Sequence, residues 1–195
     1  MKRSRSGRDV WGCEESMELH RSEKYSVGHG SFVSASFCAC FAHEGDIRQK
    51  VLRLKYQTDK SLARELSQHL VAAIAEVGAI DVVTWAPTSS ARRQQRGFDH
   101  GELLARHAAT TLQMKCRCLL RRANNEHQTG RSRHVRLAQP EFVARPLGAM
   151  RKICVIDDVM TTGATFRAAV SALARRGATD VLCVAVTYVP DIHDS

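Results

Sequence analysis

Two adjacent carboxylates and a threonine-rich loop form the stretch of this chain with the clearest chemical potential. Asp157 and Asp158 close an apolar run in ICVIDDVMTTGATF (153–166), and the loop after them leads into a helical pattern. The loop residues are Thr161, Thr162, Gly163, Ala164 and Thr165. A helix N-terminus exposes unpaired N–H groups and a partial positive charge, threonine hydroxyls add donors, and glycine permits close backbone approach. The loop therefore predicts a binding site for a phosphate group.

The two carboxylates need a different partner, because they would repel that phosphate. Ribose hydroxyls or a Mg²⁺ ion suit carboxylates beside a phosphate site. A plainer alternative is that Asp158 or Thr161 caps the helix, but capping accounts for only one residue of the pattern. The loop is neither a Walker A sequence nor a GxGxxG loop. We therefore expect Asp157 and Asp158 to contact a ribose or a metal ion.

Positive charge is concentrated in one segment of the chain. Residues 92–136 contain eleven Lys or Arg and three acids, which accounts for +8 of the formal net charge of +9. Such a field attracts phosphates, on a small metabolite or on a nucleic acid, although a solvated basic face is an equally good account of the charge alone. Phe98 is the only aromatic residue between positions 86 and 141. The segment therefore lacks the interleaved aromatic residues that stack on single-stranded bases.

The composition fits one globular domain. The chain has 195 residues, 44% of them hydrophobic, and domains commonly run to about 100–200 residues. No apolar stretch approaches the roughly 18 residues that cross a bilayer, and the basic N-terminus lacks the apolar run of a secretory signal. Seven cysteines at irregular spacing agree with a reducing compartment. We expect a cytoplasmic protein with no membrane partner.

Apolar strands alternate with amphipathic helices along the sequence. The predicted strands are 32–42, 80–87, 116–120, 152–158 and 180–189, and the predicted helices are 46–56, 61–77, 98–112 and 164–176. This alternation predicts an α/β fold with a mostly parallel twisted sheet flanked by helices, in which ligands bind beyond the carboxyl ends of the strands. We expect one domain over 31–190, a poorly structured polar and basic leader over 1–30, and a tail over 191–195. Residues 121–139 show no period and predict a long loop of the kind that forms a lid.

The order strand, Asp-Asp, two residues, Thr-Thr-Gly-x-Thr resembles the 5-phosphoribosyl-1-pyrophosphate (PRPP) signature of type I phosphoribosyltransferases. More narrowly, the chain is similar to the ComF family of competence-associated phosphoribosyltransferase-like proteins. Three further segments carry the resemblance: LRLKYQTDKSLARELSQHL (52–70), RRQQRGFDHGELLA (92–105) and LLRRANNEHQTGRSRHVR (119–136). The resemblance covers about residues 35–190. Asp99 and His100 stand where the family usually has Asn and Gln.

The resemblance implies a type I phosphoribosyltransferase fold and a role for each motif. It places Asp157 and Asp158 at the ribose hydroxyls, partly through Mg²⁺, and residues 161–165 at the 5′-phosphate. The residues implied at the pyrophosphate are Thr88, Ser89, Arg92, Arg93 and Arg96. A flexible lid over 121–136 would include Arg121, Arg122, Gln128 and Arg133. The implied ligand is PRPP or a related phosphoribosyl compound, and the implied cofactor is Mg²⁺.

Two functions are therefore expected from different classes. The first is a phosphoribosyltransferase that transfers phosphoribose to an acceptor, which the sequence does not identify, or releases it. Arginines and Mg²⁺ would stabilise the leaving pyrophosphate while the sugar becomes oxocarbenium-like, and no strong protein nucleophile is needed. The alternative is a non-catalytic accessory protein of DNA uptake. It would bind single-stranded DNA, a helicase partner or other competence proteins through residues 92–136.

The cysteine pairs are predicted to be structural. Cys38-x-Cys40 and Cys116-x-Cys118 lack the C-x₂-C spacing of a zinc ribbon. Residues two apart on a strand share a face. We expect core cysteines in both pairs and no zinc site.

Three further side chains have structural explanations beside any functional one. His100 is either a general base near the pyrophosphate loop or a solvent-facing residue at a helix start. Phe98 is predicted to anchor the helix that begins there. Trp85 lies within an apolar strand and is predicted to pack in the core rather than to stack on bases.

Overall fold

Seven strands make up the β-structure of the residues that the structure describes. The computed structural model describes residues 19–26, 32–57, 59–123 and 140–190. Its strands are β1 (Leu19–Ser26), β2 (Phe32–Ala42), β3 (Val82–Trp85), β4 (Leu120–Arg122), β5 (Phe142–Ala144), β6 (Lys152–Met160) and β7 (Asp180–Tyr188). The central sheet has the order β1-β2-β7-β6-β3, and β4 pairs with β5 separately. Only the β1–β2 pair of the central sheet is antiparallel.

Helices cover both faces of the central sheet. The helices are α1 (Gly45–Tyr56), α2 (Ser61–Ala75), α3 (Ser90–Arg96), α4 (His100–Thr111) and α5 (Ala164–Ala174). One apolar core joins α1, α2 and α4 to the sheet through residues such as Leu54, Leu66 and Leu104. A second core joins α5 and the β4–β5 pair to the opposite face, with Phe166 and Leu120 among its members. This arrangement confirms the predicted α/β class with a mostly parallel sheet flanked by helices.

Apolar periodicity located most of these elements. The strand predicted over 32–42 has those bounds, and the helix predicted over 61–77 ends at Ala75. Trp85 and Phe98 are buried among apolar residues, as predicted. Across the described ranges, no helix combines the length and apolar character that a membrane span needs.

Residues 19–26 correct the prediction of a poorly structured leader over 1–30. They form β1, which pairs with β2 from Leu19 opposite Ala39 to Ser26 opposite Phe32. An edge strand has hydrogen-bond partners on one side only, so its residues can be polar and carry little strand signal. Residues 1–18, 27–31 and 191–195, which include the rest of the leader and the predicted tail, lie outside the described ranges.

The segment after α4 also differs from the prediction. The strand predicted over 116–120 is wrong, since Cys116 forms an isolated bridge with Val83 and β4 begins only at Leu120. The loop predicted over 121–139 is wrong at its start, because residues 121 and 122 pair with β5. Three-residue strands are too short to show a period of two convincingly. Residues 124–139 lie outside the described ranges.

The cysteines divide between core and surface. Cys38 and Cys40 are buried in β2, as predicted for a core pair. Cys116 is half-buried and Cys118 is exposed, so the prediction of a second core pair is wrong for Cys118. The reason is that this stretch crosses the protein surface before β4 and has no sheet partner beyond the single bridge at Cys116.

Candidate functional site

The two acids lie where β6 extends beyond its neighbour β3. β3 stops at Trp85, which pairs with Ile156, whereas β6 continues alongside β7 to Met160. The strand therefore runs past Asp158, where the sequence predicted its end. Successive side chains of a strand point to opposite faces of the sheet, so Asp157 and Asp158 have different surroundings.

Asp158 is buried and faces α1 and α4. Its Oδ1 atom lies 2.9 Å from Nζ of Lys55, and its Oδ2 atom lies 3.7 Å from Nδ1 of His100. Lys55 comes from the last turn of α1, and His100 is the first residue of α4. The sequence placed Lys55 in a segment of the resemblance but indicated no role for it, because an ion pair between distant segments leaves no local pattern.

His100 is buried, so the solvent-facing alternative is wrong. Its ring packs edge-on against Phe98 at 5.0 Å, and its Nδ1 atom lies 3.5 Å from a guanidinium nitrogen of Arg96. The Nε2 atom is buried and has no hydrogen-bond partner among the described residues. Burial lowers the pKa of His100, and the nearby Asp158 only partly opposes this. The imidazole is therefore held neutral, and a general-base role for it stays a prediction.

Asp157 is half-buried and faces the threonine-rich loop. It lines a cavity of about 40 Å³ together with Val159 and residues 160–166. Its Oδ1 atom accepts the backbone N–H of Asp158 at 2.8 Å. Burial and the adjacent Asp158 charge hold the pKa of Asp157 well above its usual range. A hydroxyl donor or a cation on this side would stabilise the ionised carboxylate.

The loop before α5 places a glycine of positive φ and two exposed threonines at a helix N-terminus. Gly163 precedes α5 with φ of +74°, in the left-handed region that favours glycine. Thr161 and Thr162 are exposed, and the Thr162 hydroxyl oxygen accepts the N–H of Ala164 at 3.4 Å. The structure thus brings residues 161–165 and Asp157 to one cavity, and their roles at a phosphate and a sugar stay predictions.

Arg167 contacts the loop before α5, and no role for this residue was predicted from the sequence. Its Nη1 donates to the carbonyl oxygen of Thr162 at 2.6 Å, and its Nη2 donates to the Glu23 carboxylate at 3.1 Å. A cation in the first turn of a helix opposes the helix dipole. An arginine at the start of a helix is therefore unusual, and this position is the one sequence feature that could have identified Arg167.

The predicted pyrophosphate loop is largely helical. Residues Ser90–Arg96 form α3, whose start is capped by the Ser89 hydroxyl accepting the N–H of Arg92 at 3.3 Å. Gly97, with φ of +77°, ends it. The interpretation of this stretch as a loop is therefore wrong beyond Ser89. The helix was missed because none of its residues is buried and it has no apolar period.

Asp99 holds Thr88, the first residue predicted at the pyrophosphate, in place. Its carboxylate accepts the N–H of Thr88 at 2.8 Å and the N–H of Glu102, in the first turn of α4, at 3.2 Å. Burial raises the pKa of Asp99, although both hydrogen bonds oppose the rise. One buried carboxylate therefore joins the end of β3 to the N-terminus of α4.

The arginines of this region differ in how firmly they are held. Arg93 lies 3.6 Å from Glu102, and the Arg96 guanidinium stacks 4.8 Å from the ring centre of Tyr56. Arg92 is exposed. All three arginines belong to α3, the helix that follows β3, and their role at a pyrophosphate stays a prediction.

The predicted lid is only partly within the described residues. Arg121 and Arg122 lie in β4, while Gln128 and Arg133 fall in the segment 124–139 outside the described ranges. Arg122 donates from Nε to the carbonyl oxygen of Pro87 at 3.0 Å. Burial and then the nearby Arg92 lower the pKa of Arg122, while Asp157 and Asp99 oppose this. Arg122 is thus held beside Pro87 in this structure, and its role in a lid stays a prediction.

The acid pair does not fit a magnesium ion held jointly by both carboxylates. Lys55 and His100 face the two oxygens of Asp158, and one oxygen of Asp157 accepts a backbone N–H. Within the described ranges, no three His, Cys, Asp or Glu side chains are grouped as a metal site. A magnesium ion carried on the diphosphate of a ligand stays a prediction.

Comparison with known proteins adds no relative. No protein-family model matches the chain, and no curated protein matches it. The resemblance to ComF proteins and type I phosphoribosyltransferases therefore stays an expectation from the residues.

Proposed function

We propose that this chain is a cytoplasmic, ComF-like phosphoribosyltransferase that binds PRPP at the carboxyl edge of its sheet and transfers or releases phosphoribose. One observation carries the proposal: residues 161–165 and Asp157 line the same cavity at the N-terminus of α5. A sugar phosphate presents its anionic group and its hydroxyls a few ångströms apart. A helix N-terminus beside a carboxylate suits both ends of such a ligand.

The two ends of the ligand would have distinct protein partners. The backbone N–H groups of the loop and the hydroxyls of Thr161 and Thr162 would bind the 5′-phosphate. Asp157, which faces the same cavity, would accept hydrogen bonds from ribose hydroxyls. Charge-assisted hydrogen bonds of this kind are worth about 1.5–3 kcal/mol each.

The diphosphate would lie toward the arginines near the end of β3. Arg92 and Arg122 lie close enough for their charges to interact, and both belong to this group. Positive charge fixed there stabilises negative charge that develops on a leaving diphosphate. Magnesium bound to the diphosphate would supply further neutralisation, and the chain's own part is to hold and orient the ligand.

Binding of single-stranded DNA or a helicase partner through residues 92–136 is the second candidate. Four described arginines of this segment already have partners within the chain: Arg93 and Arg106 with Glu102, Arg96 with Tyr56 and Arg122 with Pro87. Their engagement favours a local role at the site over a polymer interface.

Calorimetric titration with PRPP and Mg²⁺ tests the proposed function, with Gly163→Ala as the diagnostic variant. A Cβ atom at Gly163 would strain a left-handed backbone and lie 3.3 Å from the Arg167 guanidinium. Gly148→Ala is the matched control, because Gly148 has φ of +60° and no atom within 4 Å of an added Cβ. Each variant is expected to lose about 1–2 kcal/mol of stability from backbone strain.

Only Gly163→Ala is expected to weaken PRPP binding, by about tenfold or more, since each charge-assisted hydrogen bond lost is worth about 1.5–3 kcal/mol. Wild-type affinity in Gly163→Ala would remove the loop from the site. No heat of binding between the wild-type protein and PRPP with Mg²⁺ would contradict the function itself.

A further inference from the structure

The Asp158 carboxylate already has a cation of the chain beside it. The Lys55 ammonium lies 2.9 Å from Oδ1, with the Asp158 side chain 10% exposed and that of Lys55 19% exposed. Among the described residues, Asp158 is the one carboxylate within 4.0 Å of this ammonium. His100 faces the other oxygen, at 3.7 Å. A carboxylate that the resemblance assigns to magnesium is thus already paired with a side chain of the protein.

A divalent ion could share the two acids only after a rearrangement. Mg²⁺ needs near-octahedral oxygen ligands at about 2.0–2.1 Å and gives up its water reluctantly. Asp158 is buried against Lys55 and His100, while Asp157 faces the loop on the other side of β6. Bringing an ion onto both carboxylates would require the Lys55 ammonium to move away and Asp158 to turn.

We propose that Lys55 is the resident cation of the acid pair and a positioning residue of the site. Its ammonium neutralises Asp158 and fixes its orientation, so that the ribose end of a ligand meets an ordered acid pair without a divalent ion on it. The identity of that ligand rests on the proposed function. The charge arrangement belongs to the protein alone and can be tested without the ligand.

The arrangement has a consequence for metal dependence. A ligand with a diphosphate needs Mg²⁺ whatever the protein does, because the ion neutralises the negative charge of the diphosphate. Ribose 5-phosphate has the ribose and the 5′-phosphate but no diphosphate. Its affinity for the protein should therefore be the same, within about twofold, in Mg²⁺ and in excess chelator.

Titration of the full chain with Mn²⁺, followed by the electron paramagnetic resonance signal of the free ion, tests the charge arrangement directly. The wild-type protein should bind Mn²⁺ weakly. Lys55→Met frees Asp158 next to Asp157 and should bind Mn²⁺ at least about tenfold more tightly. Lys55→Met with Asp158→Asn should return to the wild-type value.

Lys50→Met is the matched control for loss of a lysine. Lys50 lies on the same helix and pairs with two carboxylates, Asp46 at 2.7 Å and Glu65 at 2.8 Å, away from Asp158. Its replacement frees two exposed carboxylates and measures the Mn²⁺ affinity that freed surface acids give on their own, which should be smaller than the gain in Lys55→Met. If Lys55→Met does not fold, Lys55→Gln keeps a polar side chain of similar reach and should show the same gain.

Two results would overturn the proposal. One is tight Mn²⁺ binding by the wild-type protein that is lost in Asp158→Asn, a result that needs no folded Lys55 variant. The other is a folded Lys55→Met or Lys55→Gln protein with no gain. Failure of PRPP and ribose 5-phosphate to bind would contradict the proposed function alone, because the Mn²⁺ titrations contain no ligand.

Discussion

The backbone N–H of Thr88 donates to the buried carboxylate of Asp99 at 2.8 Å, which joins the end of β3 to the start of α4. The other Asp99 oxygen accepts the N–H of Glu102. Thr88 was predicted at a pyrophosphate, and its position therefore depends on a residue eleven positions further along the chain.

Replacing Asp99 should remove the hydrogen-bonded link between Thr88 and the start of α4. Asp99→Ala leaves two N–H groups without their acceptor and should cost about 2–3 kcal/mol of unfolding free energy, measured by urea denaturation. Asp99→Asn keeps one acceptor oxygen and should cost about half as much. Ser89→Ala removes only the cap of the exposed helix α3 and serves as the control. Equal losses in Asp99→Ala and Ser89→Ala would contradict a supporting role for Asp99.

The two adjacent acids should respond oppositely to amide replacement. Asp157 holds its proton more tightly in the native state than in the unfolded chain, so stability falls as the pH rises from the ordinary carboxyl pKa to the raised native pKa. Asp157→Asn removes this cost and should raise the thermal midpoint at neutral pH by a few degrees, at about 2–4 °C per kcal/mol. The gain should shrink as the pH falls below the raised native pKa and should vanish once the carboxyl is protonated in the unfolded chain as well.

Asp158→Asn should instead lower the midpoint, because it leaves the Lys55 ammonium without its anion. The expected loss is about 1–3 kcal/mol, below that of a fully buried pair because both side chains keep some exposure. The variant that carries both Asp157→Asn and Asp158→Asn should fold and should not bind PRPP. Thermal scans over a pH series check the signs, and a stabilised Asp158→Asn protein would refute the importance of the ion pair.

Arg167 should matter more for phosphate binding than for stability. Arg167→Ala removes the donor to the Thr162 carbonyl and should weaken PRPP or ribose 5-phosphate binding by about tenfold, as for one charge-assisted hydrogen bond. Arg175→Ala is the control, because Arg175 follows the last residue of the same helix and its Nη1 donates to the Ser171 hydroxyl. Similar affinities in both variants would show that the loop does not depend on Arg167.

The Glu23 partner of Arg167 gives a pH signature. Burial alone would raise the pKa of Glu23, but hydrogen bonds from Tyr25 and Arg167 outweigh it and hold the pKa below 4.5. The contribution of Glu23 to stability is therefore present above that ordinary value and lost as the pH falls through the lowered native pKa. Glu23→Gln should lower stability at neutral pH by less than about 1 kcal/mol. Its difference from the wild type should vanish in acid, and a difference that persists there would exclude the charge as its cause.

Salt dependence separates a metabolite site from a DNA interface. Binding of single-stranded DNA through Z phosphates loses affinity with salt at a log–log slope of about −0.7Z. We expect weak DNA binding that does not compete with PRPP. Replacement of Arg121, Arg122, Arg131 and Arg133 by Ala should slow turnover without loss of 5′-phosphate binding. Tight DNA binding at physiological salt, unchanged by the Asp157 and Asp158 replacements and without PRPP binding, would favour the DNA-uptake alternative.

The sequence alone determined the alternation of strands and helices, the α/β class and the loop before α5. These features depend on local patterns: β-branched runs such as 152–158, helical apolar spacing, and a glycine at the one position of the loop that needs a positive φ. The short or exposed elements escaped prediction, because β1 and α3 bury too few side chains to show a period.

Tertiary structure alone decided what each predicted site residue touches. Asp157 and Asp158 are neighbours in sequence, but the alternation of β6 places one beside the loop 161–165 and the other beside Lys55 and His100. Arg167 and Glu23 are 144 residues apart and meet only because β1 joins the sheet edge beside α5. Such contacts follow from strand order and helix packing, which local residue patterns do not encode. The ion pairs of Asp158 and Glu23 were therefore visible only in the folded structure.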